Sequence, residues 1–279
     1  MSGGAENPLT VKRHGAAGSL VVVMHGGPGA AGEAAPIARG LAEAFRVLEP
    51  WQRGSGAEPL SVARHVADLH EVIQGQCGGG QPALVGESWG AMLALAYAAA
   101  HPTATGPIAL IGCGTFDPAA RAQLQANLDA RVSSDLRRQL EALPAQFPDP
   151  GERLRRQYEL MAPLFHCDPV AADADTGPPS EPAPAFDARA HHETWDDMLR
   201  LQQAGAYPAA FAAIRSPVLM LHGTHDPHPG QMIRASLAPY LPQLEYRELA
   251  RCGHQPWRER AACEPFFTTL RDWLERHST

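Results

Sequence analysis

Residues 83–100 read Ala-Leu-Val-Gly-Glu-Ser-Trp-Gly-Ala-Met-Leu-Ala-Leu-Ala-Tyr-Ala-Ala-Ala. A short apolar run, residues 83–86, passes almost without a loop into an Ala- and Leu-rich helical stretch, residues 91–100, that ends before His101-Pro102. The junction is the pentapeptide Gly86-Glu87-Ser88-Trp89-Gly90, a G-x-S-x-G. A strand that turns straight into a helix holds its central residue in a strained backbone conformation. Glycines two positions before and after are required because side chains there would meet neighbouring backbone. Ser88 then projects above a sheet edge at a helix N-terminus, where amides favour negative charge. The bare pentapeptide occurs by chance. Between a buried strand and a buried helix it specifies an exposed serine nucleophile.

The same rhythm extends on both sides. Residues 20–24 (Leu-Val-Val-Val-Met) form a continuous apolar run that reads as a buried parallel strand ending in a glycine-rich turn. A possible edge strand precedes it at 9–13; a helix at 33–45 and a strand at 46–49, stopped by Pro50, follow. Val62, His65, Val66, Leu69, Val72 and Ile73 recur at helical spacing in residues 61–76, with Ser61 as N-cap. Residues 108–111 give another buried strand. After a gap come a strand at 218–222, a helix at 230–240, a strand at 244–249 and a helix at 258–276. Alternating strands and helices predict an α/β fold, a mostly parallel sheet with helices on both faces.

The gap itself differs. Residues 116–212 offer amphipathic helical stretches at 119–142, 152–161 and 194–204 around a Pro-rich segment at 168–184, and no strand. Residues 117–200 carry 15 acidic against 9 basic side chains, most of the chain's net charge of −7. The expected division is therefore a core of residues 1–115 and 213–279 carrying a helical cap insertion at 116–212.

With 279 residues, 44% of them hydrophobic, the chain suits one large soluble globule. The acidic balance lacks any basic stripe, so neither nucleic acid nor an anionic membrane is expected as a partner. The five cysteines are scattered without metal-type spacing and read as reduced thiols, which points to the cytoplasm. Composition leaves oligomeric state open.

A serine nucleophile needs a base and an acid that orients it. In this strand order the acid follows a late strand and the base lies before the last helix. Asp226, in His222-Gly223-Thr224-His225-Asp226, and His254, in Gly253-His254, occupy those places. Asp117, after the strand at 108–111, is the alternative acid; His225 and His228 read as neighbours of Asp226. His191, His192 and Glu193 lack the spacing of a metal site, and no metal or cofactor is expected. An oxyanion needs two N–H donors. The amide of Trp89 supplies one, and Gly27, in His25-Gly26-Gly27-Pro28-Gly29, is the candidate for the other. Arg53 is placed to tie loops together bidentately, Trp51 to line a pocket with Trp89, and Trp273 to fill the core.

These four motifs, with Gln52-Arg53-Gly54-Ser55-Gly56 as a fifth, resemble the proline iminopeptidase branch of the α/β-hydrolase superfamily over residues 20–115 and 215–277. The resemblance implies an α/β-hydrolase fold, a Ser88-Asp226-His254 triad, no cofactor, and a cap that binds a substrate's free amino terminus through acidic side chains. Glu193 is the candidate for that role, with Trp195 beside it. Trp51 stands where the family usually has Asp, and Glu87 where the peptidases more often have glycine. The expected activity is acyl transfer to water from a short peptide or other small-molecule amide. Ester hydrolysis and a non-catalytic small-molecule binder remain open alternatives.

Overall fold

The computed structural model describes residues 9–170 and 184–278. In chain order they form β1 (Val11–His14), β2 (Leu20–Met24), α1 (Ala35–Leu41), β3 (Arg46–Pro50), α2 (Val62–Gln76), β4 (Ala83–Glu87), α3 (Trp89–Ala100) and β5 (Ile108–Ile111). Helices α4 (Pro118–Arg131), α5 (Ser134–Gln146), α6 (Pro150–Met161) and α7 (Ala188–Gln203) come next. Then β6 (Val218–Gly223), α8 (Gly230–Leu237), β7 (Leu244–Leu249) and α9 (Cys263–His277) complete the chain.

The strands make one seven-stranded sheet in the order β1-β3-β2-β4-β5-β6-β7. Only β1 runs antiparallel, pairing Val11 with Pro50 and His14 with Val47. The expected parallel α/β sheet is what the chain forms. Its alternation is visible strand by strand. Val22, Met24, Leu84, Leu110 and Met220 face one core, against α2, α3 and α8. Val21, Val23, Val85, Ile111 and Leu221 face a second core, against α1 and α9. Parallel strands buried on both faces need unbroken apolar runs, which these have. Helix α3 is buried in the first core from Trp89 to Ala98, which is why it is apolar all round with no polar stripe.

Several boundaries differ from those expected, each for a local reason. The stretch at 119–142 divides because Ser133 accepts from the Leu136 amide and starts α5 afresh. Helix α7 begins six residues before the expected 194, at Ala188, because Asp187 caps it through the Ala190 amide. Helix α9 starts at Cys263 after a short 3-10 turn at Pro256–Arg258, which leaves Pro265 in the first helical turn, where a missing N–H costs nothing. The part of the Pro-rich segment at 171–183 lies outside the described residues. Among the described residues no helix is long and apolar enough to cross a membrane.

Candidate active site

The turn after β4 has the expected strain. Ser88 adopts φ 54° and ψ −115°, with its amide donating to the Ile111 carbonyl at 2.8 Å. A Cβ at Gly86 would lie 2.2 Å from the Gly90 carbonyl oxygen, and one at Gly90 would lie 2.3 Å from that of Met24. Both glycines are thus demanded by backbone, which cannot move aside as a side chain can. The following residue, Trp89, starts α3, so its amide is among those left without a partner inside the helix.

Asp226 sits in the turn after β6 and His254 in the loop after β7. The imidazole Nδ1 donates to Asp226 Oδ2 at 2.7 Å, and both residues are buried. Asp226 gathers further histidines. The amide and the Nδ1 of His228 both donate to Oδ1 at 2.9 Å, and His222 Nε2 lies 3.3 Å from Oδ2. Burial alone would raise the Asp226 pKa, but the positive potential of His254, His228 and His222 outweighs it and holds the carboxyl well below its usual range. Burial works the other way on His254, yet Asp226, Glu87 and Glu33 together lift its pKa to about 9. His225 is exposed, while His228 stacks on His254 with ring centroids 4.6 Å apart. Asp226, His228 and His254 present possible ligand atoms within 4.8 Å of one another. Any cation held there by the Nδ1 atoms would displace the protons that now bind both histidines to the aspartate.

The imidazole reaches the serine turn. His254 Nε2 lies 3.6 Å from Oε1 of Glu87, the residue bonded to Ser88. Among the described residues, His254 is hydrogen-bonded through its side chain to Asp226 and not to Ser88. Its loop is fastened from outside the sheet: the His254 amide donates to the Phe165 carbonyl at 2.7 Å, and the Phe165 ring meets the imidazole edge-on at 5.6 Å. Buried Glu259 accepts amides from Gly253, Cys167 and Asp168, joining the end of the helical segment to the histidine loop. Asp117, the alternative acid, has its carboxylate on the Ala120 amide, where it caps α4.

The glycine loop after β2 is aimed by a residue that the sequence reading left without a role. His25 Nδ1 donates to the Gly26 carbonyl at 2.8 Å, and its Nε2 accepts from the Gln52 amide at 3.0 Å. One nitrogen donates and the other accepts, so the ring is neutral; burial also pushes its pKa down to about 4. In a trans peptide the C=O and the next N–H point in opposite directions. Holding the Gly26 carbonyl therefore turns the Gly27 N–H the other way. Gln52 also accepts from Trp89 Nε1 at 2.7 Å, linking this loop to the serine turn.

Trp195 joins the same cluster: its Nε1 donates to the Gly27 carbonyl at 3.2 Å and its ring meets that of Trp89 at 5.9 Å. Trp51 does not. Its indole donates to Glu49 and lies under Lys12 Nζ at 4.6 Å, at the β1 edge of the sheet, because strand pairing between β1 and β3 carries it there. Glu193 has both oxygens engaged, one by Arg189 at 2.6 Å and one by the Leu60 amide at 2.8 Å. Arg53 binds Asp68 bidentately at 2.8 Å, as expected of a structural tie.

Comparison with known proteins bears on the family and the fold. A stretch of 116 residues is 36% identical to the proline iminopeptidase of Neisseria gonorrhoeae, covering 38% of this chain and 36% of that protein. The proline iminopeptidase of Neisseria meningitidis serogroup B is 39% identical over 94 residues, 30% of this chain and 29% of that protein. The chain thus matches about a third of the length of these relatives. A thermophilic esterase from Thermogutta terrifontis superposes with a TM-score of 0.63 at 20% identity, covering 97% of this chain and 94% of that one. VinJ superposes with a TM-score of 0.67 at 18% identity, covering 96% and 94%. At such identities these structures speak to the fold. The model of the alpha/beta hydrolase fold family matches residues 19–256, and the chain belongs to that family.

Proposed function

We propose that the protein is a serine hydrolase that works through an acyl-enzyme, with Ser88 as nucleophile, His254 as base and Asp226 as the acid that orients it. The observation that supports this reading is the buried 2.7 Å bond between Asp226 and His254, whose other nitrogen lies 3.6 Å from the carboxylate of Glu87, the residue before Ser88. His254 Nε2 takes the Ser88 proton as Oγ attacks a carbonyl, and Asp226 fixes the tautomer and stabilises the imidazolium. The amides of Gly27 and Trp89 bind the oxyanion. The protonated imidazole then delivers its proton to the leaving group, and water, activated by the same base, releases the acid. Residues 116–212 serve as a cap: Trp195 reaches the Gly27 carbonyl and Phe165 covers His254.

The first substrate class is a short amide or peptide with a free amino terminus, supported by the motifs shared with proline iminopeptidases and by the matched stretch of those relatives. A second reading, ester hydrolysis, is favoured by one observation. Three carboxylates at α7 are already bound to backbone: Asp187 to Ser55, Glu193 to Leu60 and Asp197 to Val62.

Labelling with a fluorophosphonate tests the nucleophile. Labelling of the wild type that disappears in Ser88→Ala and slows in His254→Asn is expected; an equally labelled Ser88→Ala protein overturns the assignment. Aminoacyl arylamides compared with short-chain acyl esters, in wild type and Glu193→Gln, then decide the substrate class. Selective loss of arylamide turnover in the variant supports amine recognition. Ester turnover alone, unchanged by the substitution, supports the second reading.

A further inference from the structure

Glu87 is a carboxylate that the reaction outlined above does not use, and its placement is unusual. It ends β4, is 3% exposed, and has an Oε2 buried against the Gly26 backbone, whose amide favours the ionised carboxylate without making a well-formed hydrogen bond to it. The space for it is made by Gly26, where a Cβ would lie 2.3 Å from that same oxygen. Its other oxygen, Oε1, lies 3.6 Å from His254 Nε2, too long for a hydrogen bond but within the range of a charge pair. A buried carboxylate so weakly hydrogen-bonded is costly, so a position that holds one beside the base needs an explanation in the chemistry.

We propose that Glu87 is a positioning residue of the hydrolytic reaction: its carboxyl sits against Nε2 of His254, the nitrogen that must receive the Ser88 proton, and competes with Ser88 for it. This rests on the assignment of Ser88 and His254 made above. While the imidazole is protonated, its Nε2–H faces Glu87 and the base is unavailable. Once the imidazole is neutral, Nε2 offers a lone pair and the serine hydroxyl is the better partner. Glu87 therefore raises the pH at which the base is released.

The other groups around His254 act from every side. Asp226 holds Nδ1, His228 stacks on one ring face, and the uncharged Phe165 ring meets another edge. His222 acts through Asp226. Glu33, on the turn after β2, adds negative potential, whereas Arg258 sits close enough to Glu33 to offset part of it. His166 lies beyond, bound to Glu259; burial first, and His254 in part, push its pKa down. Burial pushes Glu87 itself up to about 7, with His254 opposing and Glu33 reinforcing that shift. At neutral pH the two groups thus hold protons in competition, and the pair titrates as a unit.

The test is the pH profile of kcat/KM for a short-chain acyl ester in wild type, Glu87→Gln and Glu33→Gln. Removing an opposite charge at this distance moves a pKa by about one to three units. The acid limb is expected to move down by at least about one pH unit in Glu87→Gln, and by less but in the same direction in Glu33→Gln. The Glu33→Gln protein keeps the proposal testable if Glu87→Gln does not fold. An unmoved limb in every folded variant overturns it. A second readout does not depend on turnover: the His254 Cε1–H resonance, identified by its loss in His254→Asn, is titrated by NMR in Ser88→Ala with and without Glu87→Gln. A resonance that titrates lower without Glu87, together with an unmoved kinetic limb, sinks the assignment of His254 as base and leaves the Glu87 contact standing. A resonance that does not move sinks the contact.

Discussion

His25 illustrates how one side chain can decide whether a backbone amide is usable. Its sequence context, a histidine before paired glycines, identifies a flexible loop. What aims that loop is the pair of bonds to Gly26 and Gln52, which only the folded chain brings together. His25→Ala removes both and lets the Gly26–Gly27 peptide rotate. Since a single lost oxyanion donor costs about 100-fold or more, partial loss should lower kcat by roughly 10- to 100-fold. Because the donor acts on charge that develops in the transition state, KM should change little. Steady-state kinetics on an ester substrate check this; a KM effect with unchanged kcat would count against the amide as oxyanion donor. Ser88, Asp226 and His254 could be put forward from the sequence because strand order fixes where each candidate must fall, and the fold sets Asp226 against His254. His25, Gln52 and the Glu87 contact were not, since each depends on which loop lies opposite, and no spacing along the chain encodes that.

At the scale of elements, α7 is the piece whose bonding partners the sequence did not reveal. Its acidic face reads as either a solvated surface or an amine-reading patch. In the structure Asp187 accepts from both the amide and the hydroxyl of Ser55, Glu193 from the Leu60 amide and Asp197 from the Val62 amide. These carboxylates act as staples that satisfy the otherwise unpaired donors of the 55–62 loop. His65 adds a buried contact, its Nε2 bonding to Thr194 Oγ1 at 2.9 Å. The charge pattern was visible and its partners were not, because the loop lies more than a hundred residues away along the chain. Asp187→Ala removes a helix cap, worth about 1 kcal/mol, together with both Ser55 bonds. Hydrogen exchange should accelerate at the start of α7 and across residues 55–62 while the sheet stays protected. Uniform acceleration over the whole chain would instead make α7 part of the global unfolding unit.

For the molecule as a whole, the two-sided sheet was readable from apolar runs, yet the same burial traps ionisable groups whose titration sets the pH range of stability. His25 and His65 are both driven down to about 4 by burial, from an ordinary value of 6.5. A depressed histidine contributes stability that is present above pH 6.5 and is lost as pH falls through 4. Glu87, raised to about 7, has the opposite sign: its contribution is present below pH 4.5 and is lost as pH rises through 7. Two groups losing against one gaining leaves a net loss on the acid side, on the order of 3 kcal/mol. On the alkaline side His254, raised to about 9, contributes stability below pH 6.5 that is lost as pH climbs through 9. Above pH 6.5 Glu87 and His254 both lose while the two histidines gain nothing more, so thermal stability should peak near about pH 6.5 and decline in both directions. His65→Gln keeps a partner for Thr194 but cannot take up a proton, so its acid decline should be shallower than that of the wild type, with the alkaline decline unchanged. Melting curves between pH 4 and 9 decide the matter. An acid slope as steep in His65→Gln as in the wild type would show that the buried histidines are not what the fold loses to acid.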